Sequence, residues 1–521
     1  MSDLSRIHFV GEYLPGDDAR VELRNGRFVD VVNGTYHGPE VSLIVEGGKI
    51  QSMPGLPGEP GDIRPDFTID LQGKTILPGL FNTHCHINVA ATTIVPSFRD
   101  IRLNKRYADR QKAKDMAECL AHGITNIRDA FSEDLRPTVA LKERIARGEL
   151  PGPRIIQSVI VGPPGSYLAE KYGIVMRSLR SALGLPAVEH SRRESGVVEF
   201  PVEATESQVR DAVDRAVDER GAEAIKIGEQ RENMANLKPD STIMTINQLE
   251  ALADQARRRG LKTLMHHVSV DSFRRGVKAG VSTLSHIATD AALSKEDVTA
   301  FKEAGCIIEP TVSVAYGITW KVKGDEWYDH PEMERLTAFR NGTYTYAAMA
   351  DEYYIPELRD SVVGSYARLS TGKFKLLGVV SMSRVFRYYA RSVAHGFDNL
   401  RLLVSEGASI ALANDGGVPP CTPAMMGLEL TFFDLALNQE PGGNRLNGVE
   451  ALRIATIKSA RSMGLEAEFG SIESGKVADL VVVDGDPIED FRVLGSRAAA
   501  LFMDGRLVID NCGLQIEAAE A

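Results

Sequence analysis

LKTLMHHVSVDSFRRGVKAGVSTLSHI, residues 261–287, reads as a short strand, a helix and a second strand. The unit before it has the same form. TINQLEALADQARRRG (245–260) is a helix closed by Gly260, and it follows the apolar strand AEAIKIG (222–228). Earlier still, ATESQVRDAVDRAVDERG (204–221) sets apolar residues at 209, 212, 213, 216 and 217 on one helical face, and Thr205 and Gln208 fit a capping box at its start. Downstream, SKEDVTAFKEAG (294–305) leads to CIIEPTVS (306–313), and NLRLLVSEG (399–407) leads to ASIALAND (408–415). Helices alternating with short buried strands predict a parallel sheet with crossover helices. At least five such units favour an α/β chain built as a closed (β/α)8 TIM barrel over an open doubly wound sheet. No GxGxxG opens a helix after the first strand, which argues against a dinucleotide fold.

The two chain ends have a different texture. VELRNGRFVDV (21–31), VSLIVEGGKIQSM (41–53) and FTIDLQGKTILP (67–78) carry strand-forming residues between Asn-Gly, Gly-Gly and Gln-Gly turn signals. FGSIESGKVADLVVVDGDP (469–487) and AAALFMDGRLVID (498–510) read the same way. The expectation is one small β-sandwich domain built from both ends, residues 1–76 and 466–521, around a barrel over 77–465. Within the barrel, residues 316–389 break the rhythm. They hold Trp320, Trp327 and nine of the fourteen tyrosines in a largely helical insertion too long for a loop. A lid over the barrel mouth and an aromatic packing or oligomer surface are equally open readings.

Composition removes several function classes. The net charge of -11 opposes nucleic-acid binding, which needs clustered cations. The five cysteines, Cys85, Cys119, Cys306, Cys421 and Cys512, form no CxxC pair, so neither a disulfide framework nor a zinc ribbon is expected. A reducing, cytoplasmic location is the expectation. The first twenty residues show no secretory signal, and no apolar run approaches the length of a membrane span.

Residues with ligand chemistry fall at one place in each unit. His84 and His86 follow the apolar strand KTILPGL, and alternate strand residues point the same way, so both imidazoles can reach one metal ion. Lys226 ends AEAIKIG, His266 ends LKTLM, His286 ends VSTLS and Asp415 ends ASIALAN. Any one of them has a bland reading as a hydrogen-bonded or ion-paired polar residue. Together they lie at the C-terminal ends of successive strands, which meet at the face where barrel enzymes place their sites.

These motifs resemble the amidohydrolase superfamily of metal-dependent hydrolases, in its imidazolonepropionase-like and prolidase-like branch. LPGLFNTHCH (77–86) is similar to the family's first-strand motif, GITNIRDA (123–130) and GPRI (152–155) to stretches typical of the branch, and GAEAIKIG (221–228) to its lysine motif. Residues 261–287 align with the segment that supplies two histidines, ALANDGG (411–417) with the last-strand aspartate motif, and 469–487 with the return to the β domain. The resemblance implies two divalent metal ions, expected to be zinc. His84 and His86 would bind the more buried one, His266 and His286 the second, a carbamate on Lys226 would bridge them, and Asp415 would serve as ligand and catalytic residue. Two departures stand out. Asn82 replaces the usual aspartate, and Ser166-Tyr167 within GPPGSYL (162–168) stand where many relatives carry Gly-Gly-His.

The activity so implied is hydrolysis of a C–N amide-type bond in a small molecule, by a hydroxide shared between the cations with Asp415 moving the proton. Candidate bonds are those of a peptide, an N-acyl amino acid or an aryl amide. A cyclic amide of the imidazolone type, an ester or carbamate, and a non-catalytic scaffold are alternatives. Tyr167, Tyr316 and Arg128 are candidate substrate contacts. His267 should point away from His266, and Lys295 reads as a solvated helix residue. A homo-oligomer is expected.

Overall fold

The computed structural model describes residues 7–10, 19–60, 63–88, 97–167, 189–231, 239–314, 346–370, 375–376, 380–381, 395–418, 421–438 and 446–518. Its centre is a parallel barrel. The strands are β1 (Leu80–Cys85), β2 (Ile124–Asp129), β3 (Arg154–Gly162), β4 (Ala224–Gly228), β5 (Lys262–His266), β6 (Thr283–Ser285) and β7 (Ile307–Glu309). They lie side by side in that order. The eighth stave is the stretch 409–416, which bridges Ile308 at Ile410 and Cys85 at Gly416 and so closes the ring. Bonds from Ala411 N to Ile308 O (2.9 Å) and from Asp415 N to His84 O (2.9 Å) complete the closure.

Helices form where the sequence caps them. Thr205 and Gln208 make the expected reciprocal box at the start of Glu206–Asp218, and Val209, Ala212, Val213 and Ala216 are the buried face. The helix Ile246–Arg258 repeats the device with Thr245 and Gln248, and buries Leu249, Leu252, Ala253 and Ala256 against its neighbours. Each large aliphatic side chain so buried contributes roughly 1.5–3 kcal/mol. Truncating Leu252 would therefore weaken the ring from outside.

The terminal segments form two sheets of mixed origin. One orders Gln515–Ala518, Phe67–Asp70, Val21–Arg24, Leu43–Glu46 and Lys49–Ser52. The other orders Arg506–Asp510, Ala500–Met503, Leu480–Val483, Thr75–Pro78, Arg27–Asp30 and Thr35–Tyr36. Leu23, Phe28, Ile69, Ile76, Leu480, Val482 and Phe502 share one core between the sheets, so the arrangement is a sandwich. Of the three turn signals Asn-Gly, Gly-Gly and Gln-Gly, the Gly-Gly turn at 47–48 is the one that joins a hairpin. The Asn-Gly and Gln-Gly turns instead carry the chain from one sheet to the other, with Asn25 and Gln72 at φ 55° and 57°.

The insertion is described in part, and Trp320, Trp327 and Tyr316 lie outside the described residues. Helices Tyr346–Tyr353 and Pro356–Ser370 pack on the long helix Phe98–Ala121. Gln111 donates to Tyr353 O (2.9 Å) and accepts from Ile355 N (3.0 Å), and Ser361 donates to Asp100 (2.7 Å). Among the described residues, no helix is long and apolar enough to cross a membrane.

Candidate metal centre

Register sets the height of the site. Gly228 pairs with His266, His266 with Ser285, and Ser285 with Glu309, so the ends of four strands are level. On this rim the four strand-end histidines gather. Ring centroids are 5.4 Å apart for His84 and His86, 5.0 Å for His84 and His286, and 4.4 Å for His266 and His286. Asp415 Oδ1 lies 3.0 Å from His86 Nε2 and 3.3 Å from His84 Nε2. The ligand atoms of His84, His86 and Asp415 all fall within 4.8 Å of one another. Lys226 is fully buried among them, and its charge acts on all four imidazoles.

This donor set fits metal ions. Among the described residues, His84 Nε2, Lys226 Nζ and Asp415 Oδ1 are buried polar atoms without a hydrogen-bond partner at this centre. An orphaned buried donor or acceptor costs about 1–3 kcal/mol, and several facing one point are what a cation would satisfy. The imidazoles are also oriented. His86 Nδ1 faces Phe131 O (3.1 Å) and His286 Nδ1 faces Thr311 Oγ1 (2.7 Å), which leaves each Nε2 for the centre. His266 is reversed. Its Nε2 faces Gln230 Oε1 (2.6 Å), so Nδ1 is the free nitrogen.

Electrostatics agrees with this use. Burial drives His84, His266 and His286 below the ordinary imidazole range, so they are neutral donors. Burial also brings the Lys226 ammonium down to about 7. For Asp415 burial acts upward, but His84 and His86 outweigh it and hold the carboxyl well below its usual range. The backbone is strained here as well. His286, Thr311 and Asp415 have φ of 73°, 47° and 52°, an uncommon region for residues other than glycine and more so for a β-branched threonine. Gly417, at φ 112°, lies directly against the His86 backbone.

A match to the amidohydrolase family model spans residues 75–508. The chain belongs to the amidohydrolase family. Among curated members, the imidazolonepropionase of Symbiobacterium thermophilum is 36% identical over 114 residues, covering 21% of this chain and 25% of that protein. A 5-methylthioadenosine/S-adenosylhomocysteine deaminase of Caldanaerobacter subterraneus subsp. tengcongensis is 28% identical over 132 residues, covering 23% and 30%. This amidohydrolase thus matches these two curated relatives over less than a third of their length. In overall fold it resembles a solved Xaa-Pro dipeptidase with bound methionine, at TM-score 0.63 and 22% identity over 94% of this chain and 100% of the other.

Four positions named from the sequence need separate comment. Arg128 is not a substrate contact in this amidohydrolase. Its guanidinium is fully buried and bonded to Thr83 O (2.8 Å), Ser462 O (3.0 Å) and the Glu309 carboxylate, so it is engaged inside the barrel. Tyr167 stacks on His266, with centroids 4.1 Å apart and planes at 24°. Thr242 N bonds Gly165 O (2.9 Å), which ties its loop to the loop after β4. His267 turns away as expected, with Nδ1 toward Ser285 O (2.8 Å) and its ring near Phe273. Asn82 braces the rim from behind, donating to Asn414 Oδ1 and Pro423 O, both at 2.8 Å. Sequence reasoning missed Glu309, Gln230 and Thr311. Only Glu309 had left a signal, a lone acid in the apolar strand CIIEP.

Proposed function

We propose that the chain is a binuclear metal-dependent hydrolase that cleaves a C–N amide-type bond in a peptide, an N-acyl amino acid or an aryl amide. The observation that carries this reading is the convergence of four histidines, a lysine and an aspartate on one rim, where polar atoms of His84, Lys226 and Asp415 are buried without hydrogen-bond partners. His84 and His86 would hold one divalent cation, and His266 and His286 the other. Lys226, as a carbamate, and Asp415 would complete the set. Imidazole-rich donors suit zinc. When bound, such cations lower the pKa of water toward neutrality and polarise a carbonyl.

The chain's own residues would do the rest. Lys226, brought to about 7 by burial, holds a substantial share of free amine at neutral pH, the form that attacks CO2. A new N–C bond forms, one proton leaves, and the amine becomes an anion with two oxygens. Asp415 is ionised at neutral pH and faces the centre, so it can take a proton from attacking water and return it to the leaving nitrogen. Tyr167, stacked on His266, would offer an aromatic wall to the substrate. The names of the similar proteins support chemistry at carbon–nitrogen bonds, as in an Xaa-Pro dipeptidase and an N-substituted formamide deformylase. The imidazolonepropionase matches favour cyclic-amide hydrolysis as a second reading.

The test pairs elemental analysis with a substrate panel. Protein purified with zinc or cobalt should carry two ions per chain. It should turn over at least one class among dipeptides, N-acyl amino acids, aryl amides and cyclic amides. A folded chain that takes up no metal defeats the reading, as a scaffold would.

A further inference from the structure

Beneath the rim, one carboxylate is left unused by the chemistry above. Glu309 ends β7, level with Ser285, and is fully buried. One of its oxygens, Oε1, is engaged by Arg128 and by Ser462 Oγ (2.8 Å). The other, Oε2, accepts from Ser285 Oγ (3.3 Å) and lies 3.4 Å from His84 Nδ1. Ser462 belongs to the helix Ile457–Met463, and Thr283 Oγ1 also reaches it (3.3 Å). Thus β2, β6 and this helix all grip the same carboxylate.

The other three site histidines meet neutral acceptors: a backbone carbonyl, a hydroxyl and an amide oxygen. His84 Nδ1 has no aligned partner among the described residues, and Glu309 Oε2 stands at ion-pair distance from it. A small rotation of the imidazole closes that gap. We propose that Glu309 is a positioning residue that accepts a hydrogen bond from His84 Nδ1–H and fixes its Nε2 toward Asp415, while Arg128 and Ser462 fix Glu309. This rests on the metal-centre reading. A carboxylate behind a ligating imidazole locks its tautomer and raises its basicity, and losing such a partner typically costs about 10–100-fold in metal affinity. The competing role is structural, with Glu309 serving only to neutralise Arg128 and pin the helix.

The two roles separate experimentally. Co(II) affinity, measured by competition with a chromophoric chelator, and the visible Co(II) spectrum are compared across variants, with melting temperature as the check on folding. Glu309→Gln combined with Arg128→Gln removes both charges without stranding either. It should weaken one of the two Co(II) ions about 10–100-fold and change the spectrum. Glu309→Asp, which keeps the charge but withdraws it from His84, should do the same to a smaller degree. Ser462→Ala removes one of the two grips on Oε1 while Arg128 keeps the other, so it should lower the melting temperature and weaken Co(II) less than either Glu309 variant does. Folded Glu309 variants with wild-type affinity and spectrum overturn the proposal. A crystal structure of the loaded wild type decides without any variant. His84 Nδ1 within about 3.2 Å of Glu309 Oε2 supports it, and Nδ1 bonded elsewhere overturns it. If the wild-type chain binds no Co(II), the metal-centre reading fails and this inference falls with it. Wild-type uptake with indifferent Glu309 variants refutes this inference alone.

Discussion

Gly417→Ala tests how tightly the last barrel loop is seated on the histidine pair. A Cβ at this position would lie 2.9 Å from both the carbonyl carbon and the Cβ of His86, with the carbonyl oxygen nearer still. Carbon atoms rest about 3.5–4.0 Å apart, so the two backbones would have to separate by about 1 Å. Because φ is 112°, the alanine also adds backbone strain of order 1–3 kcal/mol. The segment that moves carries His86 on one side and Asp415, two residues away, on the other. A misplacement of this size can cost about 10²-fold in rate. The control is Gly407→Ala, where φ is 69° and no atom lies within 4 Å of the added carbon. Both variants should melt lower than the wild type. Only Gly417→Ala should lose metal stoichiometry and about two orders of magnitude in turnover of whichever amide the panel identifies. Equal behaviour of the two alanines would refute the reasoning.

Asp415→Asn should keep nearly full metal content while losing several orders of magnitude in turnover, and a metal-loaded variant with retained turnover would remove Asp415 from the proton transfer. Lys226→Ala should lower occupancy of at least one ion by elemental analysis, and full loading of two ions without the lysine would refute a bridging carbamate. Asp115 gives a stability test away from the site. Burial raises its carboxyl from 3.8 to about 8, so the folded chain holds a proton that the unfolded chain releases. Stability from this group is therefore intact below about pH 4, falls as pH rises toward 8, and is level beyond. Asp115→Asn still accepts the bond from Gln111 (2.8 Å) and removes that loss. At about 1.4 kcal/mol per pH unit, it should stabilise by a few kcal/mol at pH 8 and little at pH 4, read from melting temperatures.

The barrel was legible because its helices are amphipathic and capped, as at Thr205 and Gln208, and because its strands are short apolar runs. The rim histidines were legible because a strand end fixes height. Direction was not. Arg128 and Asp415 both end strands, yet the long guanidinium reaches Ser462 and Glu309 while the aspartate faces His84 and His86. The partners of the imidazoles were hidden for a related reason. Thr311 and His286 meet with both residues in left-handed backbone, and Gln230 reaches His266 from the loop after the neighbouring strand. Neither follows from spacing. The terminal turns left sheet membership open, since Asn-Gly signals a turn but not whether the next strand stays in the same sheet.

The sandwich has a consequence for synthesis on the ribosome. Its edge strand Gln515–Ala518 pairs with Phe67–Asp70, so Asp70 waits for Gln515 through the translation of about 445 residues. Until then the early strands offer bare hydrogen-bonding edges, a standing invitation to pair with another nascent copy. A stalled or clipped product ending just before Arg506 would keep every rim histidine and still lack the strands Arg506–Asp510 and Gln515–Ala518. Yield of intact protein should then depend more on chaperone supply during elongation than on the equilibrium stability of the finished fold.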